Sequence, residues 1–252
     1  MKTWMTSALF AGVAAGLIAA LLQFLLLQPR IVMAELYESG EMQHFAGVAE
    51  GGHDHASHDH ATTESGADHD HDTADAAHDH GDGAGGSPLQ RQGRTVLMSL
   101  LTWCGYGLIL AGGMRLAMAN GATLGPAQAV LWGVGGFAAF QMMPALGMAP
   151  ELPGMAGGDL AARQAWWLVT AVATAAGLWT LAYGGALSLR VMGLVLLAAP
   201  HLWGAPQPAA FEGTVPPELA ATFAAESLGV GLVTWAALGL ILHAIWSREA
   251  RA

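Results

Sequence analysis

Long apolar runs broken by short polar or proline-rich stretches set the pattern of this chain. Trp4 to Leu27 is apolar except for glycines, Gln23 and a few hydroxyls, and follows Lys2. It is long enough to cross a hydrocarbon core of about 30 Å, which needs about 20 helical residues. A signal-peptide core is about 7–15 residues, so the run predicts a retained span, although Val32-Met33-Ala34 resembles a cleavage site. Gly12 and Gly16 put small residues on one helix face, where another helix can come close. After Gln28-Pro29-Arg30, the mixture of Ile31, Met33, Ala34, Leu36 and Tyr37 with Glu35, Glu38 and Glu41 predicts a short interfacial helix.

Arg91 and Arg94 mark a boundary before a second span, Thr95 to Met118. Asn120-Gly121 to Gly125-Pro126 is a turn, and Ala127 to Met143 is a third span ending at Pro144. Residues Pro144 to Asp159 hold three prolines and four glycines, which predicts a loop or re-entrant piece. Trp166 and Trp167 head a fourth span to about Tyr183, Ala186 to Leu202 is a shorter fifth, and Ala220 to Trp246 is the last, beyond the proline-broken loop Gly204 to Glu218. The expected architecture is an all-α integral membrane protein of about six spans, with five as the alternative. Its parts are a first helix at 1–27, an extracytoplasmic loop at 28–94 and a helical bundle at 95–252.

Composition supports the membrane reading. The 252 residues are 54% hydrophobic and 11% charged, with a mean hydropathy of +0.43, whereas soluble domains carry about 25% charged residues. The net charge of -10 arises in residues 28–94, which hold thirteen Asp and Glu against three Arg. Nothing basic is clustered enough for nucleic acid, and lipid is the expected surrounding. The single Cys104 excludes an internal disulfide and a CxxC site. With six spans, Lys2, Arg115, Arg190, Arg248 and Arg251 share one side. Lys2 and the paired C-terminal arginines place both termini in the cytoplasm, and the loop 28–94 outside the inner membrane.

That loop carries the candidate chemistry. One triplet is written four times, His53-Asp54-His55, His58-Asp59-His60, His69-Asp70-His71 and His78-Asp79-His80, and these hold eight of the eleven histidines. Imidazole has a free pKa of about 6.5 and is largely neutral at pH 7, the form that binds divalent transition metals. In extended backbone the two imidazoles of a triplet point the same way, and the Asp adds charge or an oxygen. A tract of Ala, Asp, Gly and His buries too little surface to fold, so it should stay disordered and bind ions at several loose, exchanging sites. The bland alternative is a solubilising spacer. The gaps between triplets vary and no structural zinc spacing is present.

Two residues within the membrane are candidates for a pathway. Glu226 lies a turn or two into the last span, where a carboxylate at the centre of a helix costs about 2.5–3.5 kcal/mol on insertion scales. It is either functional or an interfacial residue that snorkels. His201 stands between Pro200 and the Gly204-Ala205-Pro206 break at the end of the fifth span, one loop from Glu226, and the two are expected to serve one step. Gln141, Met142, Met143, Met148 and Met155 form a softer candidate set for which apolar filling is the simpler account. His243 reads as an interfacial histidine. No nucleophile motif, phosphate loop or HExxH site is present, so an enzyme is not expected. The absence of an ATP-binding motif leaves the membrane potential, a gradient or a partner as the energy source.

Several stretches together resemble the CbtA family of proposed cobalt transporter subunits. They are Gly12 to Gly16, Gln28-Pro29 with Ile31 to Glu41, the His tract, Gln90 to Thr95, His201-Leu202-Trp203-Gly204-Ala205-Pro206, and Val215-Pro216-Pro217-Glu218-Leu219 with Phe223. The resemblance implies a small membrane protein with a His-rich loop, encoded beside a single-span His-bearing CbtB partner under cobalamin-linked control. It also implies about five spans, against the six counted here. The cargo it implies is Co(II); Ni(II), Zn(II) or copper transport, a non-transporting metal buffer or sensor, and a homo-oligomer remain alternatives. Imidazole affinity rises toward copper, so selectivity for cobalt cannot come from the loop alone.

Overall fold

The computed structural model describes residues 2–43, 88–249 and 251, which form helices and connecting loops with no strand among them. The first helix passes from α1 (Lys2–Leu22) through a π-helical turn (Gln23–Leu27) into α2 (Gln28–Glu38). The expected end at Leu27 is therefore corrected, and the separate interfacial helix is an extension of the first. Pro29 allows this because it sits in the first turn of α2, where its missing N–H is tolerated, and the wide turn before it accommodates the ring. Helix α3 (Pro88–Ala119) likewise starts before the expected Thr95. Arg91 binds Glu35 instead of marking a bare boundary, so the loop set at 28–94 is shortened from both sides.

The remaining helices are α4 (Pro126–Phe137), a second π-helical turn (Ala138–Met142), α5 (Met143–Ala145), α6 (Leu160–Tyr183), α7 (Leu187–Trp203) and α8 (Pro217–Glu249). Gln128 Oε1 accepts the Gly125 N–H (3.1 Å) at the start of α4, and Asp159 Oδ1 accepts the Ala162 N–H (2.8 Å) at the start of α6. Helical runs thus stand at all six expected positions. Four of them, Trp4–Glu38, Gln90–Ala119, Leu160–Tyr183 and Pro217–Glu249, are long and apolar enough to cross a membrane. The fifth expected span, α7, has 17 residues, and the third is broken by its π-helical turn and Pro144.

Pro144 has no N–H to offer the Phe140 carbonyl four residues back, and Trp167 Nε1–H takes that acceptor at 3.2 Å. Inside α7, Pro200 is tolerated near the last turn, and its own carbonyl accepts Trp166 Nε1–H at 3.2 Å. The two tryptophans read as an interfacial belt therefore also stitch α6 to the proline breaks of its neighbours.

Along α1 the packing inverts that of a soluble protein. Ala8, Ala11 and Ala15 are fully buried, whereas Phe10 is 71% and Leu21 59% exposed. On this helix small residues face the neighbours and large ones face outward, as suits lipid, while the centre of the bundle also buries Trp235, Met114, Leu238 and Leu242. The Gly12/Gly16 face does bring a helix close: a Cβ on Gly12 would lie 2.6 Å from Cys104 Cα, and Ser99 Oγ donates to the Gly16 carbonyl at 3.1 Å. Helix α8 lies against both α1 and α4, with Trp235 fully buried among Trp103, Tyr106 and Phe140. Helix α7 packs on α6 alone among the helices. Ser7 Oγ–H donates to Glu249 at 2.6 Å, so both termini lie at one end, and the ends of α2, α5 and α7 meet the starts of α3, α6 and α8 at the other.

Candidate functional site

The end opposite the termini, the loop end, gathers the charged and irregular parts of the chain. Beyond the short α5, which takes in Pro144, residues 146–159 are a loop there, as expected, and one isolated β-bridge ties them to the second proline-rich loop. Ala156 N–H donates to the Glu212 carbonyl (2.9 Å) and Thr214 N–H to the Gly154 carbonyl (3.2 Å). Gly154, at φ +80°, permits this and packs against Glu38 of α2. Ala34, Leu152 and Phe223 are buried beneath, with Leu27, Ile31, Val215 and Leu219 around them. α2 and the two loops form a cap over this end of the bundle.

Glu226 lies just under that cap and is paired. Arg30 Nη2 donates to Glu226 Oε1 at 2.9 Å and Arg30 Nε to Oε2 at 3.1 Å, a bidentate clamp between half-buried side chains. The isolated carboxylate expected from sequence is thus a carboxylate with a resident cation. Arg163 Nη2 also donates to Glu151 Oε2 at 2.5 Å, and Arg91 to Glu35, so three cation–anion pairs stand at this end.

His201 is not beside Glu226. Its ring stands edge-on to Trp166, with centroids 5.9 Å apart, and α7 does not touch α8. The two stand on elements that do not pack together, because the α6–α7 hairpin leans on α4 and α5 and not on the last helix. His201 Nε2 is nonetheless buried without a hydrogen-bond partner. His243 accompanies Ser247 Oγ at 3.3 Å near the termini.

The remaining expectations divide similarly. Met155 Sδ accepts the Leu152 N–H (3.3 Å) and Met142 is 44% exposed, which fits filling and turn-making roles for the methionines. Among the described residues, no three His, Cys, Asp or Glu side chains are grouped to hold a metal ion. The tract His53, Asp54, His55, His58, Asp59, His60, His69, Asp70, His71, His78, Asp79 and His80 lies outside the described residues; α2 and α3, which lead to it, stand at the loop end. A groove of 370 Å³ between α3, α4 and α6 is walled by Trp132, Trp179, Tyr183 and Trp235, and its lining is mostly apolar, with no acid or histidine.

Sequence reasoning missed Arg30 as the partner of Glu226 and missed both π-helical turns. Arg30 stands beside an apolar run, where nothing local points to a partner 196 residues away. The available signals were Pro29 and Pro144, each a few residues after a Gln in an apolar run.

The family model described as "Probable cobalt transporter subunit (CbtA)" matches residues 1–247, essentially the whole chain. No curated protein and no solved structure matches it.

Proposed function

The chain belongs to the CbtA family, and on that premise we propose that it is the membrane subunit through which a divalent transition metal, cobalt as Co(II), is taken up. The His/Asp tract captures ions outside a bacterial inner membrane, and the termini face the cytoplasm. Glu226 is the first acidic ligand of the pathway, with Arg30 as its resting counter-ion. The observation that carries this reading is the placement of the Arg30–Glu226 clamp at the bundle end from which the tract's two flanking helices emerge.

A dication arriving at Glu226 competes with a guanidinium for the same two oxygens. Arg30 lies just beyond Pro29, which offers no backbone N–H, and the first π-helical turn, a place where the helix can re-aim a side chain as the clamp opens. His201, with its unpartnered Nε2, is a second and separate candidate ligand on the α6–α7 hairpin. A negative interior favours inward movement of a dication by about 4.6 kcal/mol per 100 mV. A small single-span His-bearing subunit of the CbtB kind is the expected partner.

Cobalt accumulation in cells expressing the chain with that partner tests the reading. Glu226→Gln keeps the shape but loses the charge, and should reduce uptake more than Glu226→Asp; Arg30→Gln should lower the concentration needed for half-maximal uptake. Normal uptake by Glu226→Gln at equal expression refutes the assignment of Glu226, and no cobalt uptake by the unaltered chain refutes the transport reading.

A further inference from the structure

We propose that Gln141 and Ser227 form a second station for the ion, inward of Glu226, which takes a partly hydrated divalent cation on neutral oxygens; the station's role in passage rests on the transport reading. Helix α8 is bordered by both π-helical turns, Gln23–Leu27 on one side and Ala138–Met142 on the other. Wide turns of this kind recur at functional sites because they release backbone groups and re-aim side chains. Gln141 belongs to the second turn, and its side chain fills the notch left by Gly231 of α8, where any Cβ would overlap Oε1.

In that notch Gln141 Oε1 is buried and accepts no hydrogen bond from the protein. Ser227 stands one turn away from Gly231 on the same face of α8, and its Oγ is also buried without a partner. Unsatisfied oxygens are costly in a membrane interior, and helices ordinarily avoid the cost by back-bonding hydroxyls to the preceding turn. Thr170 donates to the Trp166 carbonyl, Thr222 to Glu218 and Thr234 to Val230, each within 2.7–2.8 Å. Ser227 does not do this. Thr174 is also unpartnered, but on α6, away from the α4–α8 contact.

The chemistry of the pair identifies its ligand. An amide carbonyl and a hydroxyl can each replace one water of a hydrated cation without adding charge, and the carboxylate of Glu226 adjoins Ser227 in the chain. Oxygen donors suit the harder first-row dications, such as Mn(II) and Co(II), and do not suit Cu(I). Neutral ligands hold such an ion weakly enough for it to leave, as passage requires. The aromatic wall of Phe140 and Trp235 on the inward side offers no comparable donor set.

The test uses the purified full chain with the eight tract histidines changed to asparagine, so that the bundle alone is read, and Co(II) in equilibrium dialysis. The parent should bind one Co(II) per chain. Gln141→Leu and Ser227→Ala should each weaken binding about tenfold, whereas Thr174→Val, which removes an unpartnered oxygen on α6, should not. Gln141→Met keeps the length and volume and guards against simple misfolding; it should raise the preference for Cd(II) over Co(II). Parent-like Co(II) binding by the Gln141 and Ser227 variants, or no binding by the parent, overturns the station. Binding lost as expected in a chain whose cells accumulate no cobalt upholds the site and overturns the transport reading.

Discussion

The α4–α8 crossing gives the sharpest prediction about stability. Gly133 and Gly239 meet there: a Cβ on Gly133 would lie 2.8 Å from the Trp235 carbonyl carbon and 3.0 Å from Ala236 Cα, and one on Gly239 would lie 3.1 Å from the Ala129 carbonyl carbon. These are backbone atoms and cannot turn aside, so Gly133→Ala must push the helices apart by about 0.5–1 Å, which forfeits a quarter to a half of each dispersion contact along the seam. Overpacking of this size costs about 1–3 kcal/mol, and the better helix propensity of Ala returns up to about 1 kcal/mol, leaving a net loss of about 1–2 kcal/mol. At about 2–4 °C per kcal/mol, the detergent-solubilised protein should melt about 2–8 °C lower. Gly229→Ala is the control, because it lies on α8 with Gly239 but has no atom near its Cβ position. The double Gly133→Ala/Gly239→Ala variant should lose less than the two singles together, since a Cβ on Gly239 would lie 3.3 Å from Gly133 N and one separation relieves both. If Gly133→Ala melts with Gly229→Ala, the close crossing does not hold the bundle together.

A peptide of residues 51–86 should bind two or more Co(II), Ni(II) or Zn(II) ions by calorimetry at pH 7.5 and release them at pH 5, where imidazole, with a free pKa of about 6.5, is protonated; binding that persists at pH 5 excludes histidine ligation. Deleting residues 51–86 should raise the cobalt concentration for half-maximal uptake and leave the maximum intact, because a tether raises only local concentration; uptake lost at every concentration would put the pathway in the tract. Glu226→Gln and His201→Ala, on helices that do not touch, should combine additively within about 0.5 kcal/mol of transport free energy, and a strongly non-additive pair would place them on one ion.

How far the sequence could be read follows from the range of the forces involved. The helical runs appear where hydropathy puts them because a hydrocarbon core forces each stretch to satisfy its own backbone, a local condition visible in a window of about 20 residues. The ends were less legible. Gln28 to Glu38 looked detached because Pro29 normally stops a helix, and only the wide turn before it carries α1 through. The site was least legible, because its partners are remote: Arg30 and Glu226 are 196 residues apart, a separation that no window spans.

Gln141 and Ser227 show why the polar residues of the spans carry more meaning than their local setting discloses. Gln141 was grouped with the methionines that follow it, and Ser227 was passed over beside Glu226, since each alone is an ordinary interruption of an apolar run. Their meaning depends on Gly231, which carries no chemistry but leaves the gap into which Gln141 reaches. A glycine in a span thus makes room for a donor as well as for a helix. Where helices cross on Ala and Gly, the places where a long polar side chain is buried are set by such gaps, and an ion path follows the missing side chains as much as the charged ones.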